Sequence, residues 1–188
     1  MQTSDCVNVW TDSSERYGRI SQILHWTMAL LFFWQFAGMV AKVSLGRDAG
    51  LTKMLASQHA NIGLLLLVLV VVRACWAWVQ HAKRPTQTFA ARLGHVALYA
   101  LMVVVPFIAL LRMWGNTRAF SWFGVIPLNA GGGEKIDWMI APAAALHGVF
   151  GWVLLALIAG HIGMVIIHRW WFKDDVAQRM MGCGRSCR

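Results

Sequence analysis

Four apolar runs that contain no aspartate or glutamate constrain this chain more than any other feature. They extend from Ile20 to Val43, His59 to Val79, Leu93 to Leu111 and Ala143 to Ile167. Each is close to the ~20 residues a helix needs to cross about 30 Å of hydrocarbon. Backbone N–H and C=O groups in such a layer must be satisfied within the segment, which favours the helix. The sequence therefore predicts an all-α membrane protein: a four-transmembrane-helix bundle with spans at about 20–43, 59–79, 93–111 and 143–168. The first run is not read as a cleavable signal. It is preceded by nineteen residues, is longer than a signal core, and no small-residue cleavage site follows it.

Charge is scarce and sits between the runs. Only 13% of residues are charged, against about 25% in soluble domains. Four crossings place both termini on one side. That side would carry Arg16, Arg19, Lys83, Arg84, Arg92, Arg169, Lys173, Arg179, Arg185 and Arg188; the other would carry Lys42, Arg47, Lys53, Arg112, Arg118 and Lys135. The excess predicts cytoplasmic termini. The net charge of +9 does not indicate nucleic acid, because the basic residues flank spans and form no folded basic face. Trp26, Trp78, Trp114, Trp122, Trp138, Trp170 and Trp171 cluster near span ends, as interfacial aromatic belts do. Cys75 is expected to pack as a small apolar residue inside the second span. The tail pair Cys183 and Cys187 lacks the second ligand pair a metal site would want, and no C-x-x-C-H motif signals covalent haem attachment.

The histidines carry the chemistry. His147 and His161 lie fourteen residues apart in one uncharged run, so both project from nearly one helix face, roughly 21 Å apart along the axis. Ionisable residues within spans default to functional candidates. Depth sorts them into pairs. His25 falls about 9 Å beyond Arg19 and His161 about 12 Å before Arg169, so they can flank one inner centre. His59, roughly 9 Å past Lys53, and His147, just after Pro142, form the matching outer pair. His95, counted from Arg92, is shallower than His25, and is left as a hydrogen-bonding partner for a ligand, a haem propionate or a quinone headgroup. His81 and His168 read as interfacial.

Zinc would require three or four ligands, usually with cysteine or carboxylate, and the spans supply few of either. Haem asks the protein for only one or two axial groups, which paired histidines on facing helices can provide. Interhelical hydrogen bonding is the plainer alternative. Glycines 63, 148, 151, 160 and 163 would let helices and a macrocycle approach closely. Arg73 follows His59 by the same fourteen-residue interval, which puts it at inner-centre depth. There a propionate would compensate its charge; snorkelling to the interface is the alternative.

Taken together, these residues resemble the bacterial cytochrome b561 family of small four-helix di-haem membrane proteins. The likeness runs from about Tyr17 to Met181. Its marks are Ile23-Leu24-His25-Trp26, Gln58-His59 with Gly63, Arg92-Leu93-Gly94-His95 with Tyr99, and Phe123-Gly124 before Pro127. Leu146-His147-Gly148, Gly160-His161 and Trp171-Phe172-Lys173-Asp174 complete them. The resemblance implies one transmembrane di-haem domain over residues 1–188, with b haems on His25/His161 and His59/His147. It also implies a superoxide:ubiquinone oxidoreductase of the bacterial cytoplasmic membrane, taking electrons from superoxide or another periplasmic donor and passing them to quinone. His95, Arg92 and Tyr99 are its candidate quinone or propionate contacts. A non-catalytic anchor subunit of a periplasmic dehydrogenase or hydrogenase is the alternative, and a haem-free transport or sensing protein is a third reading. The outer cations could steer an anionic donor. The connection from Arg112 to Pro142 is expected to be an interfacial segment capping the outer centre. No nucleotide-binding motif is present.

Overall fold

The computed structural model describes residues 9–173 and 176–181. Four of its helices are long and apolar enough to cross a membrane. They are α1 (Arg19–Ser44), α3 (His59–Val79), α4 (Phe89–Trp114) and α5 (Asp137–Ile167). A short α2 (Gly50–Ser57) precedes α3, and α5 continues through a π-helical turn at His168–Phe172 towards α6 (Val176–Met181). The connection from α4 to α5, at the end of the bundle termed outer, folds into an antiparallel hairpin, β1 (Phe120–Trp122) and β2 (Ile126–Asn129), with Trp122 opposite Ile126.

The protein core is small. Met28, Leu66 and Val70 are buried between α1 and α3, with Leu31, Phe32, Ile62, Tyr99 and Met102 packed around them. Large apolar side chains such as Leu30, Phe33, Val72 and Ile162 point outward, which is costly in water and neutral in lipid. Packing is uneven between helices. The α4 helix runs along α5, α1 along α3, and α3 against α4, whereas α5 makes little close backbone approach to α1 or α3. The backbone of α5 therefore stands off from the α1–α3 pair, leaving between them a cleft bridged by side chains such as Met39, whose Sδ is 3.7 Å from where a Cβ on Gly151 would lie.

The segments before α1 and after α5 meet at one end of the bundle, termed inner: the Tyr17 amide donates to the Arg179 carbonyl at 3.2 Å. The loop after α3 joins them there. Asp12 is buried, and its carboxylate accepts from the Gly18 amide at 2.8 Å, the Ser21 hydroxyl at 2.7 Å and Arg84 Nε at 2.8 Å. Gly18 is required for this fold-back, since a Cβ there would stand 2.5 Å from the Thr11 and Trp10 backbone. Arg84 also lies over the Tyr17 ring, and Gln87 donates to the Tyr17 hydroxyl.

Three boundaries differ from the sequence expectation. The α4 helix starts at Phe89, not Leu93, because Thr88 caps it by accepting from the Ala91 amide. A charged residue such as Arg92 marks where hydrocarbon ends, not where a helix ends. The α5 helix starts at Asp137 and contains Pro142. Proline removes only the donor that would reach Trp138, whose side chain is well exposed at the outer end. The chain also breaks between α2 and α3 at Gln58, so rise counted from Lys53 does not measure depth. Cys75 is exposed on the bundle surface rather than packed inside it. Asp174, Cys183 and Cys187 lie outside the described residues.

Candidate functional site

Four helices bring the histidines into two groups, one near each end of α5. At the outer end the rings of His59 and His147 have centres 6.0 Å apart and planes inclined at 79°. At the inner end His25 and His161 stand 6.4 Å apart at 67°. Each pair spans the cleft between α5 and the α1–α3 pair. Two imidazoles on opposite sides of one metal have ring centres roughly 6 Å apart, given metal–nitrogen bonds of about 2 Å.

His95 belongs with the inner group. Its ring centre lies 5.5 Å from that of His161. The expectation that it is shallower than His25 came from counting from Arg92. With α4 beginning at Phe89 and α1 at Arg19, His95 and His25 each follow the first residue of their helix by six positions, so their depths match.

The outer histidines are held by backbone and amide groups. His147 Nδ1 lies 3.1 Å from the Val105 carbonyl oxygen. A carbonyl can only accept, so Nδ1 donates and Nε2 keeps the lone pair that a metal uses. His59 opens α3, and Gln35 Nε2 donates to its backbone carbonyl at 2.9 Å. Two residues on, Asn61 anchors the hairpin. Its carbonyl accepts from Trp122 Nε1 at 3.0 Å, and its side-chain oxygen accepts from the Phe123 amide at 3.0 Å. Phe123 has φ of 48°, a costly left-handed conformation for a bulky residue. Asn61 is thus the contact that fixes the outer connection beside His59.

Around the inner group the polar residues are charged or phenolic. Arg73 Nε donates to the Tyr99 hydroxyl at 2.9 Å, and its Nη1 reaches the Ser21 carbonyl at 3.5 Å. Ser21 in turn bonds Asp12 and accepts from Trp76 Nε1. A guanidinium has five N–H donors, and both of these acceptors are neutral. Among the described residues no carboxylate pairs with Arg73, whereas Arg84–Asp12 and Lys53–Asp48 are ion pairs. Arg92 is exposed near the start of α4. His81 is exposed and bonds the Trp78 carbonyl; His168 is half-buried beside Phe172.

Sequence reasoning missed Asp12, Arg84, Gln35 and Asn61. A lone acid ahead of the first span was the available signal for Asp12, and a glutamine within a span was the signal for Gln35. Nothing local marks Asn61, whose role depends on a hairpin sixty residues later.

The family model described as prokaryotic cytochrome b561 matches residues 16–182. The chain belongs to the prokaryotic cytochrome b561 family. Among its relatives is cytochrome b561 homolog 2 of Escherichia coli (strain K12), 31% identical over 186 residues, covering 94% of this chain and 97% of that protein. Cytochrome b561 homolog 1 of the same organism is 25% identical over 174 residues, covering 88% and 97% respectively. As a cytochrome b561, the chain is a membrane b-type cytochrome that binds haem b and transfers electrons.

The side chains fit that cofactor. Among the described residues no three His, Cys, Asp or Glu side chains converge to hold a bare ion, whereas haem needs only an axial pair. Space is present as well: a Cβ built on Gly94, Gly148, Gly160 or Gly163 would meet no atom within 4 Å. These glycines lie beside His95, His147 and His161 and keep side-chain bulk away from them. Arg73, with donors to spare, suits a propionate.

Proposed function

We propose that this cytochrome b561 holds two b haems, the inner on His25 and His161 and the outer on His59 and His147. In this reading it carries single electrons from an outer-face donor to the quinone pool, and acts as a superoxide:ubiquinone oxidoreductase of the bacterial cytoplasmic membrane with both termini in the cytoplasm. The observation that carries it is the division of α5, which offers His147 to α3 and His161 to α1. Fourteen residues separate the two, a rise of roughly 21 Å that spans most of the hydrocarbon.

Haem, when bound, supplies reversible one-electron chemistry at each end. The chain supplies ligands, field and access. Val105 fixes the His147 tautomer through its carbonyl. Arg73 offers its remaining donors to a propionate of the inner group, held in place by Tyr99 and Ser21. Arg92 and Tyr99, at the inner end of α4, are proposed to contact the quinone headgroup. At the outer end Lys42, Arg47, Lys53, Arg112, Arg118 and Lys135 are all exposed, facing only Asp48, Glu134 and Asp137 in opposition. That excess would draw an anionic donor and can raise association rates by about 10–10³-fold.

The test is to mix purified protein with superoxide and ubiquinone and follow the haem absorption and quinol formation. The expected result is rapid haem reduction followed by quinol, with a rate that falls as salt screens the outer cations. Haem that superoxide leaves oxidised, in protein that copurifies with a stoichiometric soluble partner, would establish the electron-transfer subunit reading instead.

A further inference from the structure

His161 touches two imidazoles, and only one of them can face it across a metal. His25 comes from α1, on the far wall of the cleft, with ring centres 6.4 Å apart. His95 comes from α4, which packs along α5 on the same wall, with ring centres 5.5 Å apart at 66°. A histidine that binds iron through one nitrogen has an N–H on the other, and metal-bound histidines almost always donate it. For His147 the acceptor is the Val105 carbonyl. Among the described residues no backbone acceptor is hydrogen-bonded to the His161 ring, and leaving that N–H unmatched in a dry interior would be costly.

His95 has the complementary vacancy. Its Nδ1 is buried and has no hydrogen-bond partner among the described residues. In the tautomer protonated at Nε2, that Nδ1 presents a lone pair.

We propose that His95 is the positioning residue of the inner haem, its imidazole accepting the ring N–H of His161 that does not face the iron. The proposal rests on the assignment of the inner haem to His25 and His161. It makes the inner centre differ from the outer in the kind of acceptor behind the ligand, a replaceable side chain against a backbone carbonyl. Donation to an acceptor raises the basicity of the ligand and favours ferric iron, so the inner potential is lowered by this contact.

The experiment is a redox titration with low-temperature electron paramagnetic resonance of the full chain, depleted of quinone, in wild type, His95→Leu and His95→Gln. The expected result in His95→Leu is a rise of the inner midpoint potential and a changed inner low-spin ferric signal, the outer signal being unchanged. His95→Gln, which retains an acceptor, should return both towards wild type. An inner potential and ferric signal unchanged in His95→Leu would overturn the proposal. So would an effect that is seen only after quinone is restored, because that would place His95 on the quinone. If His95→Leu loses the inner haem while the outer signal shows a folded protein, His95→Gln decides. Retention of the haem supports the contact, and loss overturns it. His25→Ala with both low-spin haems intact would instead contradict the underlying ligand assignment.

Discussion

The two ends of α5 present histidine pairs of nearly equal separation, 6.0 Å outside and 6.4 Å inside, in unlike surroundings. Outside, the supporting groups are neutral: the Val105 carbonyl on His147, the Gln35 amide on the His59 carbonyl, and Asn61 holding the hairpin. Inside, they are Arg73, Tyr99 and a third histidine, backed by the buried Asp12–Arg84 pair. In the proposed di-haem reading, the same axial chemistry is therefore set in two different fields. On that reading the acceptor behind His147, a backbone carbonyl, cannot be altered by substitution, whereas the inner centre can be tuned through side chains. That is the end where the proposed two-electron acceptor would have to be bound and protonated.

The comparison can be broken most forcefully at Asp12. Its carboxylate is fully buried and ties the N-terminal segment, α1 and the loop after α3 together. Removing one partner of a buried pair costs about 3–5 kcal/mol. Asp12→Ala should lower the thermal unfolding midpoint and release the inner haem on heating before the outer one, followed by absorption and paramagnetic resonance. Equal loss of both haems would show that the two ends are not independent. Asn61→Ala should have a smaller effect, confined to the outer end. It removes an exposed hydrogen bond to the Phe123 amide, worth about 0.5–1.5 kcal/mol, and removes the restraint on a strained residue. Proteolysis within 117–133 should speed up and the outer haem signal should broaden, with the inner signal unaltered. An inner change would mean that the hairpin is not an outer-end device.

How far the sequence anticipated this molecule differs between its levels. Four apolar runs free of acids specify four spans, because no other backbone solution is available in lipid. The helix ends were less legible. Arg92 and Pro142 suggest starts at Leu93 and Ala143, yet α4 and α5 begin at Phe89 and Asp137. Depth pairs His59 with His147 even when counted from Lys53 and Pro142, neither of which begins its helix. The same count underestimated His95, which the correct start of α4 moves to the depth of His25. The Asn61 anchor and the Asp12–Arg84 pair were not legible at all. They are contacts between residues 62, 61 and 72 positions apart, and nothing in the local pattern records them.

The central claim is that one helix carries an axial ligand for each of two haems. It is tested most directly by preparing His147→Ala and His161→Ala and resolving the two low-spin ferric signals in each, with haem counted per chain. The account predicts that His147→Ala loses the outer signal and keeps the inner, that His161→Ala does the reverse, and that each retains about one haem. Loss of the same signal from both variants, or retention of both signals in either, would contradict it.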